Sequence, residues 1–223
     1  MIRPNVSSVR PVSCPDTGEP LPSISAVFWD VGGVLLTNAW DHEERAQALV
    51  RFQLDPAEFQ QRHEPLVPAF ERGELALDEY LDRTVFYQPR SFTREAFREC
   101  MFSLSKPRAD VLDLARELAG TRKYLMGTIN NESRELNAFR IQRFGLREIF
   151  SLFVSSCFVG LQKPDERIYR LALEFTQKLP EECCFIDDRP QNLESASRAG
   201  IKTVLMKSAT QLRGELGGLG VRV

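Results

Sequence analysis

Five short apolar runs, free of charged side chains, punctuate the chain: Ala26 to Trp29, Tyr124 to Ile129, Leu152 to Val154, Cys183 to Ile186 and Thr203 to Met206. Runs of this length without polar alternation fit strands covered on both faces, as in a parallel sheet. Helical spacing fills the intervals. Ile168, Leu171, Phe175 and Leu179 recur at steps of three and four, and Pro164-Asp165-Glu166 suits a helix N-terminus, so a helix is predicted over 165–179 with those four residues on its apolar face. A second helix is expected after Asn131, with Leu136, Phe139 and Phe144 in step. A third is expected near Pro190, and a fourth at the capping-box sequence Ser208-Ala-Thr-Gln211. Strands and helices in alternation predict a doubly wound α/β sheet.

The first interval breaks the rhythm, because about 70 residues separate the first run from the helix predicted at 107–119, far more than a crossover loop needs. That helix carries Val111, Leu114, Ala115 and Leu118 on one face and has Gly120 as its expected C-cap. The excess holds Asp55-Pro-Ala-Glu58, read as N-cap, first-turn proline and capping-box acid, and further helical stretches near 75–86 and 93–104. The expected organisation is therefore an N-terminal tail over 1–23, an α/β core from 24–37 and 106–223, and a small helical insert over 38–105. Five of the 13 prolines lie among the first 22 residues, so the tail is expected to wrap the surface or stay disordered.

Composition narrows the function classes. With 223 residues the chain can bury a substantial core. Lys plus Arg (29) nearly balance Asp plus Glu (31), which gives no polycationic surface for nucleic acid. No apolar run approaches the roughly 18 residues of a membrane span, and no signal-peptide core stands near the start, so a cytoplasmic protein with no membrane partner is expected. The five cysteines are scattered and lack zinc-site or disulfide-framework spacing, which fits a reducing compartment. Cys183 and Cys184, inside an apolar run, are expected to pack rather than react.

The polar residues of interest stand where predicted strands end, the edge at which open parallel sheets bind ligands. Asp30 ends the first run and is followed by Gly32 and Gly33. Asn130 and Asn131 follow the second run; they serve either as an N-cap or as the opening of a helix that receives an anion. Lys163 lies in the loop Gly160-Leu-Gln-Lys163-Pro164-Asp165. Asp187 and Asp188 follow the fourth run, where two adjacent carboxylates call for solvent, hydrogen bonds or a hard cation. Each feature alone also reads as a turn, a cap or a solvated loop. Their order along one sheet edge is what distinguishes them.

In that order the chain resembles the haloacid dehalogenase-like hydrolase superfamily. The motifs stand here as Phe28-Trp-Asp30-Val-Gly32-Gly-Val-Leu35, Ile129-Asn130-Asn131, Lys163-Pro164 and Ile186-Asp187-Asp188-Arg-Pro-Gln-Asn192, and the resemblance runs over about residues 24–210. Gly32 and the stretch Gly160 to Tyr169 look most like the small sugar-phosphatase branch and the phosphatase domain of soluble epoxide hydrolase. The resemblance implies a helical cap inserted after the first motif and a phosphatase acting on a small phosphate ester. In it Asp30 is the nucleophile that forms an aspartyl-phosphate. Like charges about 4 Å apart repel by about 4 kcal/mol at an effective dielectric near 20, so a cation must intervene. Mg²⁺ held by Asp30, the Gly32 carbonyl and Asp188 fills that role, with Lys163 on the transferring oxygens. Asn130 and backbone N–H groups near Asn131 orient the phosphate, and Asp187 and Asn192 brace the metal ligand or Lys163.

Two positions depart from the pattern. Gly32 stands where most phosphatases of the superfamily carry a second Asp as general acid and base, a loss of roughly 10² to 10⁴ in rate. Cleavage of aryl or acyl phosphates ahead of alkyl ones is the consequence expected. Asn130 replaces the usual Ser or Thr. Asp41 or His42 is a candidate substitute acid, and Phe70, Phe86 and Tyr87 are candidates for the substrate side of the insert. The competing readings are a haloacid dehalogenase, against which the Asp187-Asp188 pair argues, and a catalytically degenerate binding protein.

Overall fold

The structure is a computed structural model and describes residues 23–222. The segment 1–22, with its prolines and Cys14, lies outside them. Five strands form: β1 (Ala26–Trp29), β2 (Leu125–Asn130), β3 (Leu152–Ser155), β4 (Cys183–Asp187) and β5 (Lys202–Leu205). All pair in parallel, in the order β3-β2-β1-β4-β5. The chain winds outward from β1 to β3, then returns to the other side of β1 to lay down β4 and β5. The carboxyl end of β1 is thus the topological switch point, where such sheets open a crevice. Trp29 lies opposite both Thr128 and Ile186, so Asp30, Asn130 and Asp187 emerge at one edge.

Between β1 and β2 run α1 (His42–Arg51), α2 (Pro56–His63), α3 (Val67–Glu71), α4 (Leu77–Thr84), α5 (Arg94–Ser103) and α6 (Ala109–Gly120). Then come α7 (Arg134–Arg143), the short α8 (Ser156–Val159), α9 (Glu166–Thr176), α10 (Pro190–Arg198) and α11 (Ala209–Gly218). Strand periodicity sends Val27 and Trp29 to one face of the sheet, with Met126, Ile186 and Val204, under α6 and α11. It sends Ala26 and Phe28 to the other face, with Val154 and Phe185, under α9 and α10. Both clusters are continuous apolar layers, which is why the strands carry no polar alternation.

Helices α1 to α5 close around a cluster of their own that includes Trp40, Leu49, Phe59, Phe70, Tyr80 and Phe97, with Leu136 of α7 reaching in from the sheet side. Asp55 caps α2 by accepting from Glu58 N at 2.7 Å, and Thr93 caps α5 by accepting from Ala96 N at 3.2 Å. Ser208 and Gln211 form the expected capping box at α11.

Three local expectations are corrected. Helix α9 ends at Thr176, where Gln177 turns left-handed (φ 53°), and buries Ile168, Tyr169 and Ala172. Tyr169 sets that face, its hydroxyl donating to Asn192 O at 2.9 Å and its ring edge against Phe185, so Phe175 and Leu179 are left exposed. Gly120 is the last residue of α6 rather than its C-cap; Thr121 caps and Arg122 makes the left-handed turn (φ 56°). Helix α7 starts at Arg134 behind an extended Ser133, so Asn130 ends β2, Asn131 lies in the loop after it, and neither opens the helix.

Candidate active site

Asp30 leaves the end of β1 on the floor of a cavity of about 470 Å³ that is also lined by Gly32, Asn131, Lys163 and Asn192. Its Oδ1 is doubly engaged, accepting from Val31 N at 2.7 Å and pairing with Lys163 Nζ at 2.8 Å. Among the described residues nothing donates a hydrogen bond to Oδ2. Lys163 Nζ also meets Asp187 Oδ2 at 2.6 Å, so one buried ammonium joins β1 to β4. Asp187 is saturated in turn: Asn192 Nδ2 donates to both its oxygens, at 3.1 and 3.0 Å, and Arg189 N donates to Oδ1 at 2.8 Å.

Burial raises the Asp30 carboxyl above its ordinary range, Lys163 pulls it back down, and Asp187 adds a second upward push. Desolvation lowers Lys163, but the two carboxylates outweigh it and hold the ammonium above its ordinary range. Asp188 is raised by burial and by its neighbour Asp187. The floor is therefore a charge cluster whose members depend on one another.

One carboxylate oxygen each from Asp30, Asp187 and Asp188 fall within 4.8 Å of one another. Asp188 Oδ1 is buried with no hydrogen-bond partner among the described residues. Gly33, at φ 77°, leaves the space that the Asp188 carboxylate fills; a Cβ there would collide with it. An all-oxygen donor set with an unmatched carboxylate oxygen fits a hard divalent cation. With Asp187 already spoken for, Asp30 and Asp188 are the carboxylates with capacity left, and Asp187 and Asn192 brace Lys163.

The two asparagine side chains are engaged within the protein. Asn130 is 2% exposed and not among the residues lining the cavity; its amide accepts from Ser155 Oγ at 2.9 Å and donates to Asn137 Oδ1 at 3.1 Å. It ties β2 to β3 and α7, because its longer side chain reaches past the edge that a Ser would face. Asn131 does line the cavity, yet its amide grips the Lys163 backbone, donating to Lys163 O at 2.9 Å and accepting from Lys163 N at 2.8 Å. Both side chains position the site instead of offering free donors to a ligand.

Above the floor stand Trp40, His63 and Phe70 from the helical layer. Trp40 Nε1 donates to Tyr80 Oη at 2.9 Å, and Tyr80 Oη lies 2.7 Å from His63 Nδ1. The Phe70 and Tyr80 rings stack at 4.1 Å. Burial, helped by Arg45, pushes His63 down to about 4. Phe86 and Tyr87 do not line the cavity: Phe86 packs on Phe92 and Phe97, and Tyr87 lies under Arg62 and Arg90. His42 is exposed on α1, and Asp41 caps that helix and pairs with Arg189. The layer is fastened to the sheet domain by Gln162 Nε2 donating to Glu71 Oε2 at 2.8 Å and by Ser156 Oγ donating to Glu71 O at 2.6 Å.

Glu71, Glu132 and Arg140 also line the cavity and were not signalled by the sequence. Glu132 follows directly on the Asn130-Asn131 pair, the only hint available. The cysteines of the described residues are free and buried, with burial pushing Cys157, Cys183 and Cys184 up to about 12, as packing residues require. Among the described residues no helix is long and apolar enough to cross a membrane.

A sequence model of haloacid dehalogenase-like hydrolases matches residues 24–200. Flavin mononucleotide hydrolase 1 of Arabidopsis thaliana is 30% identical over 163 residues, 69% of this chain and 62% of the plant protein. Bifunctional epoxide hydrolase 2 of Sus scrofa is 25% identical over 211 residues, 86% of this chain and 38% of that protein. The chain thus spans less than two thirds of either relative. A HAD family enzyme of Bacteroides thetaiotaomicron, solved with magnesium and inorganic phosphate, superposes with a TM-score of 0.70 at 22% identity, over 83% of this chain and 95% of that one.

Proposed function

The chain belongs to the haloacid dehalogenase-like hydrolases, and from that premise we propose that it is a Mg²⁺-dependent phosphomonoesterase for a small phosphorylated metabolite, with Asp30 as nucleophile and α1 to α5 as its cap. The observation that carries the proposal is the division of labour within the Asp30 carboxylate. Oδ1 is held by Val31 N and Lys163, while Oδ2 has no donor among the described residues and belongs to a side chain on the cavity floor. A carboxylate oriented through one oxygen and free at the other is arranged to attack.

Asp30 Oδ2 attacks phosphorus, the bond to the leaving oxygen breaks, and an aspartyl-phosphate forms; water then releases inorganic phosphate and restores the carboxylate. Lys163, already within reach of Asp30, offsets charge on the transferring oxygens. A divalent cation held by Asp30, Asp188 and the Gly32 carbonyl would supply charge neutralisation between the nucleophile and the phosphate. Asp187, Asn192 and Asn131 keep Lys163 in place. The polar cavity, with its mixed charges from Arg45, Glu64, Glu71 and Arg189, suits a hydrophilic leaving group. The plant relative is named a flavin mononucleotide hydrolase, and flavin mononucleotide is a small phosphorylated molecule of the class this reading calls for.

The test is hydrolysis of p-nitrophenyl phosphate by wild type and Asp30→Asn, with Mg²⁺ and with chelator. Wild-type turnover that chelator abolishes, and a loss of about 10³-fold or more in Asp30→Asn, are expected. Equal activity in the two proteins would remove Asp30 from the reaction. Chelator-resistant release of halide from a 2-haloacid, without phosphatase activity, would replace the proposal with a dehalogenase.

A further inference from the structure

Gly32 leaves the nucleophile strand without a side-chain acid, and the structure fills that direction from elsewhere. A Cβ built at position 32 would stand 3.2 Å from Asn38 Oδ1 and 3.6 Å from Arg140 Nη1. Arg140, 2% exposed, comes from α7 and donates through Nη2 to Thr37 O and through Nη1 to Glu132 Oε2 at 2.8 Å. Glu132 Oε1 accepts from Ser133 N at 3.0 Å. Glu132 and Arg140 line the same cavity as Asp30 and Gly32.

A pair held only for structure is expected to be fully matched, since removing two charges from water costs several kcal/mol per ion. Among the described residues Arg140 Nε is nevertheless buried without a partner. The pair also faces the cavity and not the interior of either apolar layer. Burial pushes the Glu132 carboxyl up to about 7, against the pull of Arg140 and with a further upward push from Glu71 on α3; the buried thiol of Cys157 on α8 also senses it. A carboxyl in that range exchanges protons near neutral pH.

We propose that Glu132, aimed by Arg140, is the proton donor and acceptor that position 32 lacks, a role that rests on the aspartyl-phosphate chemistry above. As Asp30 Oδ2 bonds to phosphorus, the leaving oxygen departs with the electron pair and takes the Glu132 proton. The Glu132 carboxylate then removes a proton from the water whose oxygen attacks phosphorus. The bond to Asp30 breaks, Asp30 leaves as carboxylate, and Glu132 is protonated again. Water and ester give alcohol and inorganic phosphate, with no other reactant. Arg140 is a positioning residue in this scheme.

The bias toward good leaving groups expected from Gly32 then belongs to a Glu132 variant and not to the wild type. The experiment compares n-propyl phosphate with p-nitrophenyl phosphate, with Mg²⁺, in wild type, Glu132→Gln, Glu132→Ala and Glu71→Gln. Glu132→Gln is expected to lose about 10²-fold or more on the propyl ester in a single turnover, while p-nitrophenolate still appears as a burst of one equivalent before slow release of phosphate. Formate is expected to restore Glu132→Ala in proportion to its concentration. An equal loss on both esters without a burst, or the same signature from Glu71→Gln in place of Glu132→Gln, overturns the assignment. If neither Glu132 variant folds, the wild type decides: a shallow dependence of rate on leaving-group pKa across alkyl and aryl esters supports Glu132, and a steep one overturns it. Absence of any Asp30-dependent turnover strikes the phosphatase proposal instead, and leaves a distinct record from either result.

Discussion

On the floor of the cavity, Asp30, Lys163, Asp187 and Asn192 are joined by short polar contacts between residues 5 to 133 positions apart in the chain: two carboxylates at strand ends, a lysine from a loop and an asparagine from the first turn of α10. In the roof, Trp40, His63, Phe70 and Tyr80 meet through ring stacking and one chain of hydrogen bonds, all within the 41 residues from 40 to 80. The floor is a charge cluster held rigid by a parallel sheet; the roof is an aromatic lattice with one neutral histidine. On the proposed phosphatase reading, chemistry common to many substrates falls to the first and discrimination between them to the second, because the sheet edge fixes positions while helices accept varied side chains.

The largest effect expected from breaking this contrast is at Lys163. Lys163→Met leaves Asp30 and Asp187 buried without their shared cation, and the protein is expected to lose about 3–5 kcal/mol of stability by urea denaturation together with its activity. A loss below 1 kcal/mol would mean that the two carboxylates do not depend on it.

The roof should fail at acid pH, for the opposite reason. His63 in the folded protein lies at about 4, below its ordinary 6.5, so the unfolded chain binds the proton first. This contribution is complete above about pH 6.5 and is lost as pH falls toward 4, by up to about 3 kcal/mol. Urea midpoints from tryptophan fluorescence at pH 7.5 and 5.0 measure it, and His63→Gln should flatten the difference. An unchanged pH dependence in that variant would place the acid sensitivity elsewhere.

The smallest effect separates two parts of the floor itself. Gly33→Ala puts a Cβ where the Asp188 carboxylate lies and forces a left-handed backbone on alanine, at a cost of about 1–2 kcal/mol. The Mg²⁺ concentration for half-maximal phosphatase activity is expected to rise about 10- to 100-fold, while Lys163 stays paired. Unaltered Mg²⁺ dependence would separate Asp188 from the cation.

Much of this was legible before any coordinates. The apolar runs placed the strands within a residue or two, because a parallel sheet covered on both faces tolerates no polar position inside it. Asp30, Lys163, Asp187 and Asp188 stood at strand ends or in a loop, and the helical layer showed as an interval too long for a crossover. Phe175 was misread because spacing alone does not say which stripe of a mixed helix is buried; Tyr169, with a carbonyl for its hydroxyl, decided it. The direction of the Asn130 amide was not legible, because its position in the motif says nothing about which way an amide turns; Ser155 and Asn137 hold it.

By itself the sequence determined the order of strands and helices, the edge at which charged residues gather and the gap at Gly32, all of which follow from local periodicity and from which residue types sit beside one another in the chain. Only the tertiary structure decided that Asn131 holds the Lys163 backbone, that Asp187 has no lone pair to spare, and that Arg140 of α7, paired with Glu132, comes to stand beside Gly32. Those outcomes depend on side-chain direction across elements about 30 to 110 residues apart, and such direction is set by packing in three dimensions, which a linear pattern does not encode.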